Sequence, residues 1–267
     1  MPFDDPDKIL AAKRLAAGPL GERLAKYPML FSKAAIIGER PAQQKTTQVR
    51  NGTVTLIKFG TAPFAVTCSH VISCYRKFLE TFESALFQVG NIEFDPLLQL
   101  VAEDRQMDLA TIRLTSDQAE AITREGEIGS CLFEPASWPP QPLRAGDFIA
   151  FGGFPELWRE RRGFEELIFP SFSIGACMVA SVTEDQIACQ FEREYWVKSF
   201  DIDKRPDLDK LSGMSGGPAF ILREFYWDFV GMIYAFSQGL DRMLLRPAHL
   251  FCQDGSIRKV SEHCPPL

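Results

Sequence analysis

The sequence predicts an all-β fold preceded by a helical arm. Two observations point to the β class. Short β-branched and aromatic runs, punctuated by Gly and Pro turn signals, recur between Thr46 and Phe236. A proline-rich segment, residues 134–143, falls near the midpoint and splits these runs into two groups, since such a stretch sits in the middle of neither a helix nor a sheet. A third observation sets off the N-terminus. The first 45 residues lack the β pattern and carry alanines with Ile9, Leu10 and Leu15 on one prospective helical face. The expected organisation is an arm over residues 1–45, a β unit over 46–133, a linker over 134–144, a second β unit over 145–250 and a tail over 251–267.

Taken in order, Asp5-Pro6 starts a helix that Gly18-Pro19 breaks, and residues 20–25 form a second short turn. The plain expectation is an arm packed on the protein; the sharper one is an arm that docks a partner or gates a cleft. Asn51-Gly52 is a turn dipeptide, residues 53–59 read as a strand, Gly60 to Pro63 turns, and residues 64–68 return. A short helix is expected within 71–84, then strands at 86–89 and 109–114. Beyond the linker, strands are expected at 147–152, 173–182, 186–191, 219–222 and 229–236. Arg159, Arg161 and Arg162 around Glu160 read as a solvated loop.

Composition limits the function. The chain of 267 residues is 46% hydrophobic, enough for one large or two small cores, and its net charge of −6 gives no electrostatic case for nucleic acid. No apolar run has the length of a membrane span, and the N-terminus is acidic where a secretory leader is basic. The seven cysteines show no metal-ligand spacing and read as reduced, mostly buried thiols of a cytoplasmic protein. No metal and no cofactor is expected.

Leu211-Ser-Gly-Met-Ser215-Gly-Gly-Pro218 is the most informative stretch. It holds a serine between glycines, which allow close backbone approach and positive φ. A serine hydroxyl needs a base to take its proton, and that base needs an orienting carboxylate. Among His70, His249 and His263, His70 follows a predicted strand directly. Asp108 opens the apolar run 109–114; Asp104 is the nearest rival carboxylate and lacks such a run.

Together, Thr67-Cys-Ser-His70-Val-Ile, Asp108-Leu-Ala-Thr-Ile-Arg-Leu and Gly213-Met-Ser215-Gly-Gly-Pro resemble the histidine, aspartate and serine motifs of the trypsin-like (chymotrypsin-fold) serine proteases, bacterial type, in that family's order. The resemblance covers residues 46–250. It implies two six-stranded antiparallel β-barrels with the site between them. It also implies a protein or peptide substrate, His70 as general base, Asp108 as its orienter, Ser215 as nucleophile, and an oxyanion hole from the Gly213 and Ser215 N–H groups. Asp209 stands where a carboxylate would select Arg or Lys, and Tyr234, Ala235 and Phe236 would line the substrate strand, with Phe236 narrowing the pocket. Met214 stands where many secreted members carry an aspartate that pairs with a freed N-terminus, so that activation is absent. Ile36-Ile-Gly-Glu39 resembles such a freed terminus and is discounted for the same reason. With no recognition module, restraint is expected from the arm, the narrowed pocket or a regulatory partner protein.

Two other readings compete. Gly213-x-Ser215-x-Gly217 also fits the nucleophile elbow of α/β-hydrolases, which requires a helix after the serine. A trypsin-like module with its chemistry silenced would serve as a binding or regulatory scaffold.

Overall fold

A computed structural model describes residues 14, 18–39, 48–124, 131–162, 166–191 and 211–259. Helix α1 (Pro19–Lys26) opens on proline, whose missing N–H costs nothing in a first turn, and a 3₁₀ turn (Tyr27–Phe31) follows. The remaining elements are β1 (Ser32–Glu39), β2 (Val49–Phe59), β3 (Ala62–Thr67), α2 (Ser69–Thr81), β4 (Ala85–Val89), β5 (Ile92–Glu93), β6 (Leu100–Asp104), β7 (Leu109–Arg113) and α3 (Ser116–Arg124). After the proline-rich segment come β8 (Phe148–Gly153), β9 (Glu160–Arg162), β10 (Glu166–Ile168), β11 (Phe172–Val182), β12 (Ile187–Gln190), β13 (Pro218–Leu222), β14 (Trp227–Ser237) and β15 (Arg242–Pro247).

The all-β class is borne out. The C-terminal half is a closed six-stranded antiparallel barrel in the order β11-β12-β15-β14-β13-β8, while β9 and β10 form a separate hairpin. The N-terminal half departs from the expected six strands. It is a seven-stranded antiparallel sheet in the order β5-β4-β1-β2-β3-β7-β6, because the two-residue β5 adds to the free side of β4. Among the described residues no ladder joins β5 to β6, so both remain sheet edges.

The N-terminal arm also needs correction. Residues 32–39, expected within the helical arm, form β1 in the middle of the sheet, paired to both β2 and β4. Ala34-Ala-Ile-Ile37 is a short apolar run whose burial follows no clean alternation, and such a run fits a helix or a strand equally well. The helical part lies against the barrel. A Cβ on Gly175 of β11 would meet Gly21 O at 2.8 Å and Ala25 N at 2.9 Å, so glycine is what admits α1 this close. Tyr27 stacks on Trp227 with ring centroids 4.0 Å apart.

Two apolar cores fill the halves, and the first crosses between them. Phe31, Phe133, Phe220 and Phe229 form one aromatic cluster, with Phe133 and Phe220 centroids 4.9 Å apart. Each such ring, fully buried, contributes about 2–3 kcal/mol. Residues 134–143 hold no helix or strand, as expected, and run between the halves with Trp138 Nε1 donating to Phe251 O at 3.0 Å. Arg159 is tied down rather than solvated, donating to Val49 O at 2.8 Å. Among the described residues no helix is long and apolar enough to cross a membrane.

Candidate active site

The sequence between β6 and β7 makes a tight turn. Asp104 Oδ1 accepts the N–H groups of Gln106 and Met107, both at 2.9 Å, so the rival carboxylate is spent within its own turn. The turn ends on Asp108 at φ 55, a left-handed conformation that Asp tolerates better than most residues. From there its carboxylate grips His70 twice: Oδ1 accepts the His70 backbone N–H at 2.9 Å, and Oδ2 lies 2.7 Å from Nδ1. A carboxylate only accepts, so the second bond places the ring proton on Nδ1 and leaves Nε2 as the basic nitrogen. The imidazole is half exposed, at 53%.

Helix α2 begins at Ser69, so His70 lies in its first turn, one residue before the span expected to be helical. No side chain of the adjoining chain caps this helix. Asp108 instead takes one of its unpaired N–H groups, and a negative charge is favoured there by the helix dipole. Ser69 Oγ donates to Glu103 Oε1 at 2.6 Å, and Arg76 binds both oxygens of Glu103 at 2.8 and 2.7 Å. Arg76 and Ser69 hold the Glu103 carboxyl below its ordinary pKa. Helix α2, and His70 with it, is thereby pinned to β6.

The serine loop is held from the opposite half. Thr53 Oγ1 donates to Gly213 O and Thr55 Oγ1 to Gly216 O, both at 2.7 Å, while Thr53 N donates to Ser215 O at 2.9 Å. Gly213 has φ +94 and Gly216 φ +96, and a Cβ on Gly216 would fall 1.8 Å from Thr53 O. Only glycine fits both the conformation and the approach. Glu156 N donates to Ser212 O at 2.7 Å and Gly217 N to Met214 O at 2.9 Å. A trans peptide points its C=O and N–H in opposite directions, so these anchors turn the Gly213 and Ser215 N–H groups away from them. Among the described residues neither N–H has a protein acceptor.

Ser215 is half-buried, and its hydroxyl donates to Tyr234 O at 3.4 Å; among the described residues no hydrogen bond joins it to His70. The two segments nonetheless converge, because Ile233 O accepts from Cys68 Sγ at 3.4 Å and from Gly216 N at 2.8 Å. Beside Ser215 opens a cavity of about 220 Å³ whose walls include Met214, Ile233, Ala235, Phe236 and Met243. Ala235 and Phe236, expected along the substrate strand, line this cavity. The Tyr234 side chain turns elsewhere: the residue is the extra one at a bulge between β14 and β15, its ring packs under Arg246 at 4.0 Å, and its hydroxyl donates to Gln186. Burial pushes that hydroxyl's pKa up, against the pull of Arg246. Asp209 lies outside the described residues.

Sequence reasoning missed Thr53, Thr55 and Thr67, whose Oγ1 donates to Thr53 O at 2.7 Å, as parts of the site, and Arg246 altogether. The only signal was Thr53-Val-Thr55, two hydroxyls on one face of a buried strand. It also missed that Cys68 Sγ, His70 and Asp108 offer donor atoms within 4.8 Å of one another, a spacing that a metal ion could use. The set is a poor one. Burial and the Asp108 charge push the Cys68 thiol well up, keeping it protonated, and both Asp108 oxygens are engaged by His70. After Gly216-Gly217 the chain enters strand β13, not the helix that a nucleophile elbow requires, which removes the α/β-hydrolase reading.

No protein-family model and no curated protein matches the chain. Among solved structures it is similar to the Rv3671c protease of M. tuberculosis in its active form, at 15% identity and TM-score 0.46, covering 91% of this chain and 82% of that one. It is also similar to a catalytically inactive tobacco etch virus protease complexed with substrate, at 12% identity and TM-score 0.42, covering 83% and 80%. At these values the functional reading rests on the chain's own residues.

Proposed function

We propose that the chain is a serine endopeptidase. The observation that carries this is the His70–Asp108 pair, gripped at 2.9 and 2.7 Å, converging with a serine loop whose Gly213 and Ser215 N–H groups have no acceptor among the described residues. In this reading Ser215 Oγ attacks the peptide carbonyl while Nε2 of His70 takes its proton. Asp108 stabilises the imidazolium, and the Gly213 and Ser215 N–H groups receive the oxyanion. The imidazolium then gives its proton to the leaving amine, and a water repeats the sequence to release the acyl group. The side chain preceding the cut bond enters the cavity beside Phe236, with the substrate backbone along residues 234–236.

One observation favours a second reading, a silenced binding module: the Ser215 hydroxyl is turned to Tyr234 O rather than to His70. In unliganded enzymes catalytic hydrogen bonds are commonly long and tighten only with substrate, so the geometry accommodates activity. A fluorophosphonate probe decides between the two. Covalent labelling of the wild type that disappears in Ser215→Ala, with the thermal midpoint unchanged, supports the peptidase. A wild type that takes no label at any pH supports the module.

A further inference from the structure

Arg246 is a buried cation outside the acyl-transfer chemistry. It lies on β15, 8% exposed. Its Nε donates to Met107 O at 2.7 Å, its Nη1 to Asp185 O at 2.9 Å, and its guanidinium lies 4.0 Å above the Tyr234 ring. The Asp185 carboxylate is 3.6 Å away and half exposed. Burying a charge is expensive, and an apolar side chain in its place is commonly as stable or more so, so stability alone does not account for arginine here. The contacts do. Met107 O belongs to the peptide unit that leads into Asp108, and Asp108 sits at φ 55, so the plane of that peptide sets the direction in which the carboxylate leaves the backbone. The Tyr234 ring marks the bulge whose carbonyl accepts the Ser215 hydroxyl.

We propose that Arg246 is a positioning residue that acts across the two halves: from the barrel it fixes the Met107–Asp108 peptide, and through Tyr234 it fixes the bulge that meets Ser215. Its effect on rate rests on the endopeptidase reading; its effect on the Asp108–His70 pair does not. Arginine suits the task because its planar fork reaches two carbonyls at once and still stacks on an aromatic face. Lysine keeps the charge without the fork. Glutamine keeps a single donating nitrogen without the charge, and methionine keeps neither.

The test uses the full chain with ¹⁵N-labelled histidine, comparing wild type, Arg246→Met, Arg246→Gln and Asp108→Asn. Three quantities are read: the His70 Nδ1–H resonance, the thermal midpoint, and the second-order rate of fluorophosphonate labelling. Arg246→Met should move the His70 resonance toward its position in Asp108→Asn and slow labelling about 10-fold or more, since small misplacements of a catalytic group can cost up to about 100-fold. Arg246→Gln should recover part of both. An unchanged His70 resonance in Arg246→Met overturns the proposal, as does an Arg246→Gln no better than Arg246→Met in both readouts. Where Arg246→Met does not fold, Arg246→Lys must show the His70 shift, and its absence there overturns the proposal. A wild type that takes no label defeats the endopeptidase reading, while the resonance still decides whether Arg246 holds Asp108.

Discussion

The threonines that hold the serine loop allow a paired test in which one substitution has opposite effects at two sites. Thr53 is fully buried; its hydroxyl donates to Gly213 O at 2.7 Å and accepts from Phe154 N at 3.1 Å. Thr53→Val keeps the shape and strands both groups. A buried polar group left unpaired costs about 1–3 kcal/mol, fully so for the Gly213 carbonyl and less for the half-buried Phe154 N–H, giving a loss of about 2–4 kcal/mol. Thr111 on β7 is equally buried, yet its hydroxyl has no partner among the described residues. Thr111→Val removes a polar group that gains nothing from burial, so the fold should be unchanged or more stable by about 1 kcal/mol. Urea unfolding of both variants, with equal slopes, measures the difference directly. Thr53→Val should also slow fluorophosphonate labelling in molecules that remain folded, because the Gly213 peptide loses its anchor. Equal destabilisation by the two variants, or a neutral Thr53→Val, would refute the clamp.

Two further outcomes are expected. Asp108→Asn keeps a side chain that accepts positive φ but cannot hold the His70 proton on Nδ1 in the same way; turnover should fall by about 10⁴, and near-normal turnover would mean that another carboxylate orients the histidine. The Glu103 carboxyl is held below its ordinary value of 4.5, chiefly by Arg76, so its stabilising contribution is complete above that pH and is lost as the pH falls through the lowered folded value. Thermal midpoints of wild type and Glu103→Gln measured across this range should therefore differ most above pH 4.5 and converge below it; a constant gap would show that charge is not what holds α2 to β6.

Much of the fold was legible because its strands obey local rules. Residues 53–59, 64–68 and 109–114 are apolar, strand-like runs, and they became β2, β3 and β7; the Asn51-Gly52 pair, expected to turn, instead lies within β2 opposite Ile36 and Ala35 of β1. The strands that escaped notice break those rules. Strand β6 ends on Glu103-Asp104, β15 carries Arg242, Arg246 and Pro247, and β1 hides among alanines. In the candidate site, His70, Asp108 and Ser215 stood out because the chemistry asked of a nucleophile demands those residue types. The residues that hold them in place carry no such mark. Thr53 looks like any strand threonine, and its partner Gly213 lies 160 residues away; Arg246 and Met107 are 139 apart. Only the folded chain brings such pairs together.

Those long-range bonds run in both directions across the boundary between the halves. Thr53 and Thr55 of the sheet hold Gly213 and Gly216 of the barrel loop, Arg246 of the barrel holds Met107 of the sheet, and Ile233 O accepts from a group on each side. Neither half therefore holds its share of the candidate site alone. The aromatic cluster around Phe133 and Phe220 supplies apolar adhesion, but apolar contact is non-directional and tolerates sliding. Hydrogen bonds at 2.7 Å do not, since a slide of about 1 Å takes them beyond bonding distance. Adhesion and register are thus carried by different residues. Trimming a phenylalanine in the cluster should lower stability while sparing the rate per folded molecule. Cutting a threonine or arginine clamp should impair the rate out of proportion to any loss of stability.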